Sequence, residues 1–236
     1  MHFYIPKSPP VTILRGTLFH NLTRIHHMTL AQQNQRNIGI LLMVSAVAAI
    51  FLMFHHPSHF HSSNLNALIH GGMIAVILVA TLGVTFLAIS QEMRRPFILA
   101  VLLLYGVGSI FNILAALING FVVPQWLAQA TGPNIEDIQS LAWIINQNAG
   151  RLAVYTHGLG ILSFGIHLLL NAPTRLGRLI SLVSLLIGSF TPLVLVLHDN
   201  RLTVHTALII YSLESLWLMA ISLMLIWTRS SNSEPV

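Results

Sequence analysis

The sequence predicts an all-α polytopic membrane protein, a bundle of six transmembrane helices with both termini on the cytoplasmic side. Three observations carry this. Of 236 residues, 55% are hydrophobic and only 7% are charged, against about 25% charged in soluble domains. Six apolar runs reach the roughly 17 to 25 residues that a helix needs to cross about 30 Å of hydrocarbon. The eleven Lys and Arg residues fall unevenly between those runs. The composition excludes a soluble domain and a disordered chain. The absence of cysteine excludes a disulfide scaffold, thiolate metal sites and cysteine nucleophiles.

The runs are Ile38 to Phe54, Ala67 to Ser90, Phe97 to Ile118, Leu152 to Leu170, Leu179 to Leu197 and Val204 to Trp227. Each is read as a helix because lipid offers no partner for backbone N–H and C=O groups, and no run alternates as a barrel strand would. When sides alternate along the chain, Lys7, Arg15, Arg24, Arg36, Arg94, Arg95, Arg175, Arg178 and Arg229 share one side, and only Arg151 and Arg201 face the other. The positive-inside rule places the richer side, with both termini, in the cytoplasm. The pI near 10.5 follows from these loops and implies contact with the lipid bilayer, favouring anionic lipid, with no nucleic acid. Homo-oligomerisation or other membrane subunits stay open.

The chain thus divides into a cytoplasmic leader at 1–37, a transmembrane domain at 38–228 and a polar tail at 229–236. The leader has no unbroken apolar run of the cleavable-signal kind. Leu14, Leu18, Leu22 and Ile25 recur at helical spacing, as in an interfacial amphipathic helix; Met28 is an alternative start. The long connection from Asn119 to Arg151 is punctuated by Pro124 and Pro133. Its Asn134-Ile135-Glu136-Asp137 reads as a helix N-cap with acids in the first turn, so span four begins near Asn134 and projects from the membrane. Trp126 and Trp143 suit an interfacial position. Thr191-Pro192 removes the bond that Gly188 would accept and predicts a kink. Two Arg-to-Gly-Ser spacings, Arg95 to Gly108-Ser109 and Arg175 to Gly188-Ser189, hint at duplicated hairpins.

Function is sought in polar groups that hydrocarbon disfavours. Glu214 sits mid-span, too deep to reach water, and needs a proton or a partnered cation or histidine; Tyr211, three residues earlier, is a hydrogen-bond candidate. His70 and His157 lie roughly 12 Å and 5 Å above the midplane by helix rise, with His205 at the outer boundary. These three histidines form a candidate metal set for Zn or Cu, or ligands for haem. Tyr105, Asn112 and Asn119 recur every seven residues beside Ser109 and stripe one face of span three; Asn146, Ala153 and His157 stripe span four. His70 aligns with Thr81 and Thr85. Glu214, Tyr211, Asn112, Asn119 and Arg151 are the ligand- or proton-handling candidates. Each stripe is equally what helix-helix hydrogen bonding requires. His55, His56, His59 and His61 add a solvated cluster at the outer mouth, suited to weak Zn or Cu capture. No Walker loop, HExxH, GxSxG or dinucleotide fingerprint is present, and an intramembrane hydrolase using these histidines and Glu214 is the least favoured reading because His205 and Glu214, nine residues apart, lie about 180° apart around span six.

His55-His56-Pro57, His70-Gly71-Gly72, Asn119-Gly120-Phe121-Val122-Val123-Pro124 and Asn146-Gln147-Asn148 together resemble a group of bacterial six-span inner-membrane proteins without an established activity, over residues 38–228. The resemblance implies a bacterial inner membrane and assigns no functional residue. The expectation is an outward-opening His/Asn pocket that binds or moves a small ligand, metal ion or proton, with a structural or accessory subunit as the alternative.

Overall fold

The computed structural model describes residues 12–57, 64–91, 95–129, 135–172 and 174–227, with side chains from residue 33 onward. Six helices are long and apolar enough to span a membrane, as the sequence predicts. They are α1 (Thr12–Phe54, of which Gln33–Phe54 is the apolar span), α2 (Asn64–Ser90), α3 (Pro96–Leu117), α5 (Ile135–Asn171), α6 (Arg175–Leu197) and α7 (Val204–Trp227). A π-helical turn (Ile118–Val122) and the short α4 (Val123–Gln129) continue α3 into what the sequence suggests is a loop.

Helix starts follow local chemistry. Pro96 occupies the first turn of α3, where its missing N–H costs nothing. Thr174 caps α6, its hydroxyl accepting from the Gly177 N–H at 3.1 Å. α5 opens with Glu136 and Asp137, and its 37 residues give about 55 Å of helix, longer than the hydrocarbon. The helix of span four thus begins at Ile135, well before the apolar run at Leu152; Asn134, its proposed cap, lies outside the described residues. α6 continues as helix through Pro192.

Neighbouring helices in sequence also pack side by side, α1 on α2, α2 on α3, α3 on α5, α5 on α6 and α6 on α7, and the ring closes through α1 on α7. Its outer surface carries exposed large apolar residues from every span, among them Phe51, Leu68, Leu103, Leu186 and Leu216, as lipid contact requires.

The interior divides along its length. One half is a packed apolar plug that includes Leu42, Leu87, Ile98, Phe164, Trp217 and Ile221. Trp217 is central: it is fully buried, meets Phe164 edge-on at 5.9 Å and Tyr105 at 6.0 Å, and donates its indole N–H to Ser184 Oγ at 2.9 Å. The other half, toward the α1–α2 and α6–α7 connections, is hollow and lined by polar and apolar side chains together.

Candidate functional site

A cavity of about 210 Å³ occupies that half, between α1, α2, α3, α5 and α7. The stripe of α3 and the π turn faces it in full: Tyr105, Ser109, Asn112 and Asn119 all line it, as do His70, Asn146, His157, Tyr211 and Glu214 from the neighbouring helices.

At its deep end, Glu214 Oε2 lies 3.1 Å from His157 Nδ1, and His157 Nε2 lies 3.3 Å from Ser109 Oγ. Thr81 donates to Ser109 at 2.7 Å, and Ser109 donates to its own helix at the Tyr105 carbonyl, 2.9 Å away. With the serine proton used there, Nε2 carries a hydrogen and donates to Ser109. The short contact to Glu214 then holds one proton, on Nδ1 or on the carboxyl, and the pair is neutral in either arrangement. Neutrality is what a buried carboxyl and imidazole require in a medium of low dielectric constant. The histidine ring is held flat against Tyr105, with centroids 4.3 Å apart at 15°. Gly108 makes room for it: a Cβ there would stand 2.2 Å from His157 Cδ2.

A second histidine is seated the same way. His70 points its Nδ1 at the Asn66 carbonyl, 2.9 Å away, so Nδ1 carries the hydrogen and Nε2 presents a lone pair to the cavity. Gly120 sits opposite, where a Cβ would fall 2.3 Å from that of His70. The π turn explains this placement. In it the Val123 N–H bonds Ile118 O, five residues back; the next carbonyl, of Asn119, would look to residue 124, which is proline and has no N–H. Asn66 supplies the missing donor through Nδ2 at 3.1 Å. Insertions of this type widen a helix locally and re-aim its side chains.

The α6–α7 connection covers the open end. Asp199 and Asn200 take left-handed backbone angles, which these side chains tolerate best after glycine. Gln147 clamps Leu202 from α5 by accepting from its N–H at 2.9 Å and donating to its carbonyl at 3.0 Å. Tyr155 donates to Asn200 Oδ1 at 2.7 Å.

Several sequence-based expectations need correction. Tyr211 does not serve Glu214; it donates across to Asn112 Oδ1 at 2.5 Å, since three residues along the helix turn it toward the α3 stripe. His205 is exposed and absent from the cavity lining, being nine residues, hence about 180°, from Glu214 on α7. Arg151 also stays outside the lining, about 120° around α5 from His157, with its buried Nε unpaired. His157 has both ring nitrogens engaged, leaving neither for zinc, copper or haem iron. Among the described residues no three His, Cys, Asp or Glu side chains gather as a metal site, so the His70, His157, His205 set does not assemble. Of the mouth cluster, His55 turns outward onto Phe51, with ring centroids 4.4 Å apart, while His56 turns into the cavity. Burial, then the neighbouring His70, pulls the His56 pKa down to about 4. His59 and His61 lie outside the described residues.

Sequence reading passed over Gln147 as a clamp, His56 as a lining residue and Ser109 as a bridge. Only the pairing of distant segments reveals them, although Ser109 already lay beside the stripe.

Among the described residues, seven buried side-chain polar atoms lack a hydrogen bond, and five of them belong to this one cavity: His56 Nδ1, His70 Nε2, Asn119 Oδ1, Asn146 Oδ1 and Glu214 Oε1. Buried polar atoms are normally satisfied, so their convergence makes this cavity the candidate binding site. Comparison with protein families, with curated proteins and with solved structures finds no match, so the reading of this site rests on its own chemistry.

Proposed function

We propose that this integral membrane protein binds a small, positively charged hydrogen-bond donor, such as a protonated amine, in the polar cavity of its helix ring. The supporting observation is the kind of orphaned atom found there. His70 Nε2, Asn119 Oδ1 and Asn146 Oδ1 are acceptors, and Glu214 Oε1 is an acceptor whichever way the proton sits between Glu214 and His157. No Lys or Arg lines the cavity, so a donor-rich guest is what these acceptors lack. The volume, about 210 Å³, falls below the roughly 300 to 1,000 Å³ of drug-sized pockets, so the guest is small. A guest that enters as the neutral amine can take the proton shared by His157 and Glu214, which leaves an ammonium beside the Glu214 carboxylate and the total charge unchanged. The apolar plug closes the opposite half, which fits a binding protein or a carrier that must rearrange, not an open channel.

In the same reading, the cavity faces outward from a bacterial inner membrane and both termini are cytoplasmic. The Arg distribution supports the orientation, and the resemblance noted above supports the membrane.

The test is a thermal-shift series on purified protein with methylammonium, guanidinium, acetate and glycerol. Ammonium-type compounds should stabilise the wild type, reaching about 2.7 kcal/mol at one hundred times Kd, and should fail to stabilise Glu214→Gln. Equal stabilisation by acetate, or none by any cation, would leave the polar groups as helix-locking contacts of an accessory subunit and reject the proposal.

A further inference from the structure

The mouth of the cavity carries a second set of groups, of which the amine reading uses only His70. His56 and His70 meet edge-on, with ring centroids 4.9 Å apart at 66°, and His56 Nδ1 and His70 Nε2 are both buried without partners. Three residues before His56 is Met53, 4% exposed, and the His56 N–H donates to the Met53 carbonyl at 3.2 Å in the turn that follows α1. One turn after His70 on α2 is Met73, on the same face. All four residues line the cavity.

We propose that Met53, His56, His70 and Met73 form a binding site for Cu(I). Two thioether sulfurs are the soft donors that this ion selects, and imidazole nitrogen also suits copper. The set is uncharged, so in a low-dielectric mouth it suits a monovalent ion better than a divalent one, which would keep its full second charge unscreened. His70 is already oriented as a ligand: its far nitrogen donates to the Asn66 carbonyl at 2.9 Å, and Asn66 is tied to Asn119 O at 3.1 Å. Metal-bound histidines are normally held by a partner of this kind. Thioethers lie outside the His, Cys, Asp and Glu donors from which no three-membered group forms among the described residues.

The experiment uses the full chain, purified without a His-tag and loaded with Cu(I) under ascorbate, in competition with bathocuproine disulfonate. One Cu(I) per chain should be retained. Met53→Leu and Met73→Leu keep the side-chain volume and remove only sulfur, and each should weaken retention by at least the roughly 10- to 100-fold that a lost orienting partner costs at metal sites. Ag(I), which does not change oxidation state here, should follow the same order. The His59→Gln/His61→Gln double variant should retain Cu(I) like the wild type at equilibrium. Wild-type affinity in both leucine variants, no retention by the wild type, or loss in the His59→Gln/His61→Gln protein would each overturn the assignment. Amine binding is read through Glu214 and Cu(I) through the two methionines, so either proposal can fail without the other.

Discussion

The neutral His157–Glu214 pair makes a quantitative demand on a double-mutant cycle. Glu214→Gln keeps the shape and leaves an amide able to donate to His157 Nδ1, so the 3.1 Å contact survives as a neutral hydrogen bond. Its cost should be about 1 kcal/mol, the difference between a charge-assisted and a neutral bond. His157→Ala is different, because it strands Glu214, 6% exposed, and empties the space against Tyr105; breaking a buried pair from one side costs about 3 to 5 kcal/mol. In the double variant no carboxyl remains to be stranded, so the combined cost should fall below the sum of the singles by more than about 1 kcal/mol. Reversible unfolding in mixed micelles, with helicity as the probe, measures all four proteins. Strict additivity, or a Glu214→Gln cost equal to that of His157→Ala, would refute the shared-proton account.

Other consequences are open to direct tests. Because the folded His56 pKa is lowered from 6.5 to about 4, the unfolded chain binds a proton more readily between those values. Stability should therefore fall as pH drops from 6.5 toward 4, and thermal unfolding of His56→Gln should lose that part of the pH dependence; an unchanged profile would contradict the buried ring. Gly108→Ala and Gly120→Ala each force a Cβ into a seated histidine, at 2.2 and 2.3 Å, and should destabilise by about 1 to 3 kcal/mol as overpacked sites do, whereas Gly106→Ala, with open space around it, should be tolerated in the same unfolding assay. The chain has no cysteine, so single introduced cysteines give a clean topology readout. One at Arg201 should react with an impermeant maleimide in intact cells and one at Arg175 only after permeabilisation; the reverse pattern would invert the proposed orientation.

What the sequence determined by itself was the class and the spans, since hydropathy and backbone satisfaction in lipid are properties of single segments. Val204 to Trp227 coincides with α7 residue for residue, and helical periodicity alone puts Tyr105, Asn112 and Asn119 on one side, which the structure turns toward the cavity. Which stripes meet is a different kind of fact. The pairing of His157 with Glu214, the crossing of Tyr211 to Asn112, the exclusion of His205 and Arg151, and the inward turn of His56 all depend on the order of helices around the ring and on their rotation. Those are set by close approaches at Gly108 and Gly120 and by the π turn before Pro124, where a few ångströms of packing decide which polar groups find one another.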